Sequence, residues 1–463
     1  MMRNMEKWHR GLERIWSRIW RMILPGLAAT AVLLSCGKDS ASKQAGTERV
    51  HVVYWEKWAD EEQAAMEELV DRFNRSQDRI LVEYVQVTDI RGKLLLATIG
   101  HNPPDVAGVF AETILKYSDR DALMPLDHYM ERDGISPEDY LPAVIELCEY
   151  RGFYWGLPAT PASLALHYNK KHFRQAGLDP ERPPRTIAEL DEYARKLTRY
   201  DEDGHIVQLG FAPVEPSWFK AWYIWWFGGE HWDGKSEMTL TTKPCLETFR
   251  WVRSFPETYG AVELHRFLSG GGQFRSAQNL FLNEKLSMQL QGVWMANFIE
   301  SYNPGMEWGV APFPSVSEEL SDVTFVDSDI LVIPNGARHP DEAWEFIRFV
   351  QRQENMEALC KAQRKFSPLK AVSPEFYTNH PNPNIDLFRH LAESPNAHPV
   401  PRFPIVEVMR DEMSVAMDKV WLREDTPEKA LEHAEKIMQS ELDRRERQWE
   451  RIAEQRIQEW SKP

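Results

Sequence analysis

Strand-like and helix-like segments alternate over residues 50–110, and this alternation constrains the fold more than any other feature of the sequence. Three short apolar runs are rich in β-branched and aromatic residues, and the two segments between them repeat apolar residues at helical spacing. The predicted strands are 50–55, 80–85 and 103–110, and the predicted helices are 60–75 and 91–99. Strand and helix in strict alternation are typical of a parallel sheet covered by helices. The sequence therefore predicts an α/β fold.

A second stretch, Phe281–Phe298, combines a strand, a glycine and a tryptophan. It opens like the end of a helix and then alternates apolar and polar residues over 286–291, which is the period of a strand. Gly292 breaks this strand, and a new apolar run follows around Trp294. A strand, a glycine turn and a helix start place backbone N–H groups and one large ring at a sheet edge, a common form of ligand crevice. The alternative is that Trp294 packs in the core.

Composition disfavours one class of partner and favours another. The formal net charge of −16 is unfavourable for binding nucleic acid, because phosphates need a basic surface. The length of 463 residues leaves room for two lobes. The chain also has 18 tryptophans, although protein cores use few of these side chains because the indole N–H needs a partner. We interpret the excess as aromatic platforms for a ligand.

The first 35 residues have the pattern of a targeting segment. Six basic residues precede an apolar run over 22–35, which is shorter than the ~20 apolar residues that a spanning helix needs. The run ends in LLSC, which resembles the lipobox of bacterial lipoproteins. The resemblance implies a signal peptide over 1–35, a lipid anchor on Cys36 and a flexible tether over 36–49. The alternative is an ordinary secretion signal followed by a chance cysteine.

Motifs for catalysis, metal binding and cofactor binding are missing from the sequence. It contains no nucleophile elbow, zinc-protease motif, phosphate-binding loop or dinucleotide-binding motif. Cys148, Cys245 and Cys360 lack the spacing of metal ligands, and we expect them to be unpaired and buried, although one bridge would also fit. We therefore expect no metal and no cofactor. A glycosidase would need two carboxylates around a sugar. The candidates by position are Glu56, Asp105, Glu112, Asp327 and Asp329.

Several longer segments occur in an order that is found in one protein family. They are FNRSQDRILVEY, KLLLATIGHNPPDV, ALMPLDHYM, YRGFYWGLPATPASLALHYNKKHF, FLNEKLSMQLQGVWMANF, WGVAPFP and PNGARHPDEAWEFIRFV. Together they extend from residue 50 to residue 350 and resemble the extracellular solute-binding proteins of ABC sugar importers, the superfamily of the maltose-binding protein. The departures are mild: Trp155 stands where the family commonly has tyrosine, and His167 precedes Tyr168.

The resemblance implies a two-lobed periplasmic-binding-protein-like fold of type II. Each lobe would be a helix-covered sheet, and a hinged cleft between the lobes would hold the ligand. The implied first lobe is 50–160 plus 326–366, and the second is 161–325 plus 367–463. Hinges are then expected at 158–161, 324–327 and 366–369, where prolines flank the crossings.

The resemblance also implies a function. Together with the lipobox, it implies a lipid-anchored, extracytoplasmic receptor that binds a carbohydrate and delivers it to the permease of an ABC importer. The aromatic content favours an oligosaccharide, and we expect a monomer with no nucleic acid partner. Two alternatives stay open, a binding protein for a non-sugar solute and a secreted carbohydrate-active enzyme.

Ligand contacts are expected where rings and polar side chains meet, because sugars present apolar faces and a rim of hydroxyls. Trp294 matches the family tryptophan that stacks on a sugar ring, and Glu112 matches a polar position by spacing alone. We expect one or two tryptophans of the cluster over 218–232 to face the ligand and the others to pack. The predicted ligand-binding residues are Trp294, Glu112, Glu56, Trp58, Trp222, Trp226, Asp327, Asp329 and Arg402.

Four predictions concern elements outside this site. Asp341 is expected to cap one helix, and Thr186 with Glu189 is expected to cap another. The proline-rich segment 374–404 is expected to be irregular. The charged segment 427–460 is expected to form one long helix whose final turns fray or dock loosely.

Overall fold

The computed structural model describes residues 49–462. The predicted signal peptide, the lipid-attachment residue Cys36 and all of the tether except residue 49 lie outside the described residues. No helix within residues 49–462 combines the length and the apolar character that crossing a membrane requires.

Strands and helices alternate over much of the described chain. The strands are β1 (Val50–Glu56), β2 (Ile80–Gln86), β3 (Val106–Phe110), β4 (Glu149–Tyr150), β5 (Phe153–Tyr154), β6 (Leu157–Asn169), β7 (Arg199–Tyr200), β8 (Ile206–Gln208), β9 (Met288–Gly292), β10 (Trp308–Ala311), β11 (Thr324–Val332) and β12 (Ala397–Pro399). The helices are α1 (Asp60–Ser76), α2 (Ile90–Ile99), α3 (Glu112–Asp119), α4 (Asp127–Asp133), α5 (Pro142–Ile145), α6 (Lys170–Gln175), α7 (Ile187–Leu197), α8 (Lys243–Tyr259), α9 (Ala261–Ser269), α10 (Met295–Tyr302), α11 (Pro340–Val350), α12 (Gln353–Ala362), α13 (Pro374–Thr378), α14 (Ile385–Glu393), α15 (Val406–Trp421) and α16 (Pro427–Trp460). Segments in 3₁₀ conformation are Pro137–Asp139, Glu146–Cys148, Ser217–Phe227 and Glu318–Leu320.

The first three strands form the parallel sheet that the sequence predicts. β1 pairs in parallel with β2 along its whole length and with β3 at Tyr54 and Trp55. α1 packs against β2 through an apolar stripe at helical spacing. The buried residues of this stripe are Met66, Leu69, Val70 and Phe73. The strand and helix alternation predicted over 50–110 is confirmed.

Two long strands connect the two halves of the molecule. β6 pairs with β11 at its start and with β9 and β10 at its end. β11 pairs with β12 in its first half and with β3 in its second half. The sheet order is therefore β10-β6-β11-β3-β1-β2, with β9 and β12 joined at the side. This arrangement supports the chain crossings predicted at 158–161 and 324–327.

The stretch Phe281–Phe298 has the predicted strand and following helix, but the predicted helix end before the strand is wrong. Residues 281–286 form turns instead. The side-chain oxygen of Asn279 accepts the backbone N–H groups of Phe281 and Leu282, and such local bonds compete with helix formation. β9 pairs antiparallel with β6, and α10 begins directly after Trp294.

The predicted cap at Asp341 is also wrong. His339 occupies the N-cap position of α11, and Asp341 lies in the first turn, where its carboxylate accepts the Tyr129 hydroxyl at 2.9 Å. The buried Asp105 accepts the N–H groups of Arg338 and His339 at 3.0 and 2.9 Å. A carboxylate from a distant segment therefore holds the two residues that precede the first turn of this helix.

Two smaller predictions are confirmed. The Thr186 hydroxyl caps α7 by accepting the backbone N–H of Glu189 at 3.2 Å. Cys148, Cys245 and Cys360 are buried free thiols. Burial raises the pKa of the Cys245 thiol to about 11, so this side chain behaves as a small apolar group.

The C-terminal region is more ordered than the sequence predicts. The segment 374–404 contains α13, α14 and β12, so the prediction of an irregular segment is wrong. α16 is one long helix, as predicted, but its end is anchored. Trp460 is buried, its ring packs edge-on against Trp155 at 4.7 Å, and its indole N–H donates to Asp121. This aromatic contact replaces the loose docking that the polar sequence of the last turns predicts.

Candidate ligand-binding site

A cavity of 730 Å³ lies beside the crossing strands β6 and β11. Its volume falls within the range of about 300–1,000 Å³ that is typical of ligand pockets. The aromatic side chains that line it are Trp58, Phe110, Trp218, Phe219, Trp222, Phe274, Trp294, Phe298 and Phe325. Charged and polar side chains that line it include Lys57, Glu62, Glu112, Asp327, Asp329, Lys365 and Arg410. The cavity therefore joins an aromatic wall to a polar floor.

Trp294 belongs to the aromatic wall because Gly292 leaves space for its ring. A Cβ at Gly292 would lie 2.4–2.6 Å from three carbons of the indole, which is far inside normal contact distance. The ring therefore lies over the end of β9, with Phe219 stacked on it at 6.4 Å between centroids. The indole N–H has no partner among the described residues. A ring on the cavity wall suits a ligand that has an apolar face.

The 3₁₀ segment Ser217–Phe227 divides the tryptophan cluster between cavity and core. Trp218 and Trp222 line the cavity. Trp226 is fully buried outside it, and its indole N–H donates to the Val323 carbonyl at 3.0 Å. Of the two tryptophans of this cluster that were predicted to contact the ligand, Trp222 therefore lies at the cavity and Trp226 lies in the core.

Asp329 is the centre of a buried ion-pair network on the cavity floor. Its carboxylate lies 2.7 Å from Lys57 Nζ and 3.2 Å from Lys365 Nζ. It also accepts hydrogen bonds from Trp58 Nε1 at 3.2 Å and from Thr160 Oγ1 at 3.0 Å. Burial alone would raise the pKa of this carboxyl, but the two ammonium charges hold the pKa well below its ordinary value. Asp329 is therefore ionised and fixes Trp58 and both lysines on the cavity surface.

Glu112 occupies the first position of α3 and bridges two arginines. Arg91 Nη2 lies 2.6 Å from Glu112 Oε1, and Arg410 of α15 pairs with the other carboxylate oxygen. The Arg91 guanidinium also lies over the Phe110 ring at 3.9 Å. Glu112 therefore positions two guanidinium groups at the cavity edge.

Asp327 lines the cavity in a different electrostatic environment. Its carboxylate accepts the backbone N–H of Ser328 at 2.8 Å and forms no ion pair with any of residues 49–462. Burial, followed by the charges of Glu112 and Asp329, raises the pKa of Asp327 to about 7.

Glu56, which the sequence placed among the ligand contacts, is fully buried outside the cavity. The Tyr54 hydroxyl donates to its carboxylate at 2.5 Å, and Lys57 Nζ lies 3.1 Å from it. The carboxylate occupies the space above Gly108, where a Cβ would lie 1.7 Å from an oxygen. Glu56 therefore supports Lys57 from beneath and does not face the cavity.

Arg402 and the candidate carboxylate Asp105 also lie outside the cavity. Arg402 pairs with Glu149 at 3.4 Å, and burial lowers the pKa of its guanidinium. Asp105 accepts the backbone N–H of Val53 at 2.9 Å in addition to its bonds at the start of α11. Both side chains hold segments of the chain together.

Sequence reasoning missed Lys365 and Arg410. Lys365 follows α12 and Arg410 lies on α15, beyond the segments that resemble known proteins. No local pattern marks either residue, because their partners Asp329 and Glu112 are distant in sequence. Sequence reasoning could have named Trp218, because this residue belongs to the tryptophan cluster over 218–232 that was predicted to contribute ligand contacts.

Polar contacts also join the two sides of the cavity at one edge. Arg275 pairs with Glu61 at 2.8 Å and with Asp60 at 3.2 Å, both on α1. Ser301 of α10 donates to Glu61 at 3.0 Å. Residues of the implied second lobe thus contact residues of the implied first lobe at this edge of the cavity.

Comparison with known proteins agrees with this geometry. Residues 58–357, more than half of the chain, match the family described as bacterial extracellular solute-binding protein. The chain belongs to this family. A maltotriose-binding protein of Pyrococcus abyssi is 24% identical to it over 301 residues, and the match spans 64% of this chain and 62% of that relative, less than two thirds of its length. The sn-glycerol-3-phosphate-binding periplasmic protein UgpB of Pectobacterium atrosepticum is 22% identical over 425 residues, spanning 85% of this chain and 91% of that one.

Solved structures also resemble this solute-binding protein. CpMnBP1 with mannobiose bound superimposes with a TM-score of 0.75 at 26% identity, covering 84% of this chain and all of that chain. The two-lobed α/β fold that the sequence predicts is confirmed.

Proposed function

We propose that this solute-binding protein is an extracytoplasmic receptor that binds an oligosaccharide for an ABC importer. The observation that carries the carbohydrate part is that an aromatic wall and a polar floor line the same cavity. A relative named for maltotriose and a similar structure with mannobiose support the same ligand class.

The chemistry of the two surfaces suits a sugar. The C–H faces of pyranose rings stack on aromatic rings, and Trp294 and Trp218 offer such surfaces. Trp222 lines the cavity from behind, since it is buried and its ring is stacked on Trp225 and Phe325. Sugar hydroxyls both donate and accept hydrogen bonds, so they can pair with carboxylates, ammonium and guanidinium groups. A closed cleft excludes water, which strengthens each of these bonds.

Delivery to a permease, anchoring and the lobe boundaries belong to the same proposal. Separation of two lobes at a hinge releases a ligand that closure has enclosed. The lobes are proposed to be 50–160 plus 326–366 and 161–325 plus 367–463, and the change of partners along β6 and β11 supports this division. A lipid on Cys36, with residues 36–49 as a tether, would hold the receptor at the outer side of the membrane.

We infer binding without turnover. A glycosidase needs one carboxylic acid and one carboxylate that are both free to act on the sugar. Glu112 and Asp329 are instead held in ion pairs, and Glu56 and Asp105 lie outside the cavity. These placements, together with relatives named as binding proteins, favour a receptor over a carbohydrate-active enzyme.

The test compares Trp294→Ala with Trp308→Ala. Both tryptophans are half-buried and pack against the same small cluster of apolar residues, but only Trp294 lines the cavity. The purified proteins are titrated with maltotriose, mannotriose and a panel of other oligosaccharides while tryptophan fluorescence and thermal unfolding are recorded.

A bound oligosaccharide is expected to raise the unfolding temperature of the wild-type protein. Trp294→Ala should weaken binding by about tenfold or more, the effect of losing about 1.4 kcal/mol of ring contact. Trp308→Ala should bind within about threefold of the wild type. A response to a non-sugar solute alone would refute the carbohydrate part, and equal losses in both variants would assign Trp294 to packing. Conversion of the bound sugar into products would favour an enzyme.

A further inference from the structure

The positively charged side chains on the cavity wall are already paired with carboxylates of the protein. This holds for each lysine and arginine that lines the cavity within the described part of the chain. The pairs are Lys57 and Lys365 with Asp329, Arg91 and Arg410 with Glu112, Lys220 with Asp418, and Arg275 with Glu61. An anionic ligand that enters the cavity would therefore have to compete with an existing carboxylate for every cation that it meets.

Asp327 is the carboxylate on the same wall that has no such partner. Its neighbours on the wall are mostly of like charge or already paired: Glu112 on α3, Asp329 on its own strand, Lys57 after β1, and Arg410 with Asp411 on α15. One of its oxygens accepts the N–H of Ser328, which leaves further acceptor sites directed at the cavity. Burial and the nearby acidic groups raise the pKa of its carboxyl to about 7, as expected for a carboxylate without a cation.

The two observations determine which ligands this surface favours. A hydroxyl that donates to Asp327 forms a charge-assisted hydrogen bond and relieves the cost of burying the carboxylate. A carboxylate or phosphate on the ligand would instead be repelled by the like charge of Asp327. No unpaired cation on the cavity wall would offset the desolvation cost of that anionic group.

We propose that Asp327 selects the ligand of this cavity: its ionised carboxylate accepts hydrogen bonds from the hydroxyls of an uncharged sugar and repels acidic solutes. The inference rests on the proposed function, because it identifies the class of sugar that the same cavity binds. It also distinguishes this chain from the relative named for glycerol 3-phosphate, whose ligand is an anion.

Binding should then depend on pH near neutrality. A ligand that donates to Asp327 favours the ionised form, so affinity increases as the pH rises through the pKa of about 7 and decreases as the pH falls through it. Only the ionised fraction binds well, and that fraction falls about tenfold between pH 8 and pH 6. The dissociation constant for a neutral trisaccharide should rise by up to about tenfold over the same interval.

The experiment measures binding at pH 6 and pH 8 by calorimetry for the wild-type protein, Asp327→Asn and Asp191→Asn. Mannotriose and maltotriose are the neutral probes, trigalacturonate and glycerol 3-phosphate are the acidic probes, and spermidine is a basic probe. Asp191 is the matched control, because burial raises the pKa of its carboxyl too, yet it lies outside the cavity and accepts the Trp251 indole N–H at 2.9 Å.

The wild-type protein should bind a neutral trisaccharide and neither acidic probe, with the stated dependence on pH. Asp327→Asn should remove the pH dependence and gain affinity for trigalacturonate, while Asp191→Asn should behave as the wild type. Neutral-sugar binding that is equal at both pH values, or that keeps its pH dependence in Asp327→Asn, overturns the inference and leaves the sugar receptor intact. Asp327-dependent binding of spermidine alone overturns the sugar receptor and keeps the selection against acids. Binding of trigalacturonate by the wild type overturns the inference and leaves an oligosaccharide receptor intact. Binding of glycerol 3-phosphate alone, or of no probe at all, overturns both.

Discussion

Replacing Gly292 by alanine should displace the Trp294 ring. The new Cβ would lie 2.4, 2.5 and 2.6 Å from Cη2, Cζ3 and Cζ2 of the indole, whereas carbon atoms in contact stay about 3.5–4.0 Å apart. The ring must therefore shift by about 1 Å or more, away from β9 and against Phe219 and the cavity. Overpacking of this kind costs about 1–3 kcal/mol of folding free energy. For a chain of this length that cost corresponds to a fall in unfolding temperature of about 1–4 °C.

Gly305→Ala is the control for this change. Gly305 lies in the same implied lobe, and a Cβ there would meet no heavy atom within 4 Å, so its effect should stay within about 0.5 kcal/mol. The assay is urea unfolding of both variants, followed by titration with mannotriose or another sugar that binds the wild type. Gly292→Ala should lose both stability and affinity. If it unfolds and binds like Gly305→Ala, the Trp294 ring does not lie over β9 and the account of the aromatic wall fails.

Three further changes test other parts of the structure. Asp329→Asn removes the shared partner of two buried lysines and should cost up to about 3–5 kcal/mol at pH 7. The folded-state pKa of Asp329 lies below its ordinary value, so the stability that its ionised form contributes is complete above about pH 4 and is lost as the pH falls further. The difference in unfolding free energy between the wild type and Asp329→Asn, measured in urea, should therefore become smaller in acid. Trp460→Ala should cost about 3–5 kcal/mol in the same assay, because the ring anchors the end of α16. An unchanged stability would instead support the prediction that the last turns of α16 dock loosely. Glu61→Gln removes the exposed ion pair with Arg275, which is worth about 0.2–1 kcal/mol. Ligand binding should weaken by less than about fivefold, and the effect should be larger at low ionic strength. A loss of affinity that does not depend on salt concentration would contradict an electrostatic contact across the cleft.

The sequence predicted the secondary structure correctly where apolar residues recur at the regular spacing of a strand or a helix. The alternation over 50–110, the Thr186 cap and the length of α16 depend on side chains within a few turns of one another. The predictions failed where a distant residue replaced a local partner. Asp105 supplied the acceptor that Asp341 was expected to provide, and Trp155 held the helix end that was expected to be loose.

The candidate site divides in the same way. Trp58, Trp222, Trp294, Glu112, Asp327 and Asp329 were named from the sequence, and the structure brings all six to one cavity. Glu56, Trp226 and Arg402 were named on equal grounds and lie elsewhere. Alternation along a strand assigns successive side chains to opposite faces but does not show which face packs in the core. The sequence alone therefore could not place Glu56 in the core and Lys57 at the cavity. Helical spacing has the same limit for Trp222 and Trp226.

The sequence by itself determined the family, the α/β order of elements and the presence of a tryptophan beside Gly292. Each of these features depends on residues that are close together in the sequence. Only the tertiary structure decided the charge of the cavity. The pairs that hold its cations join residues as distant as Glu112 and Arg410, or Asp329 and Lys57. Composition counts such charges but does not show which of them pair. Among the described residues that line the cavity, Asp327 is the carboxylate without an ion-pair partner, and only the folded chain shows this.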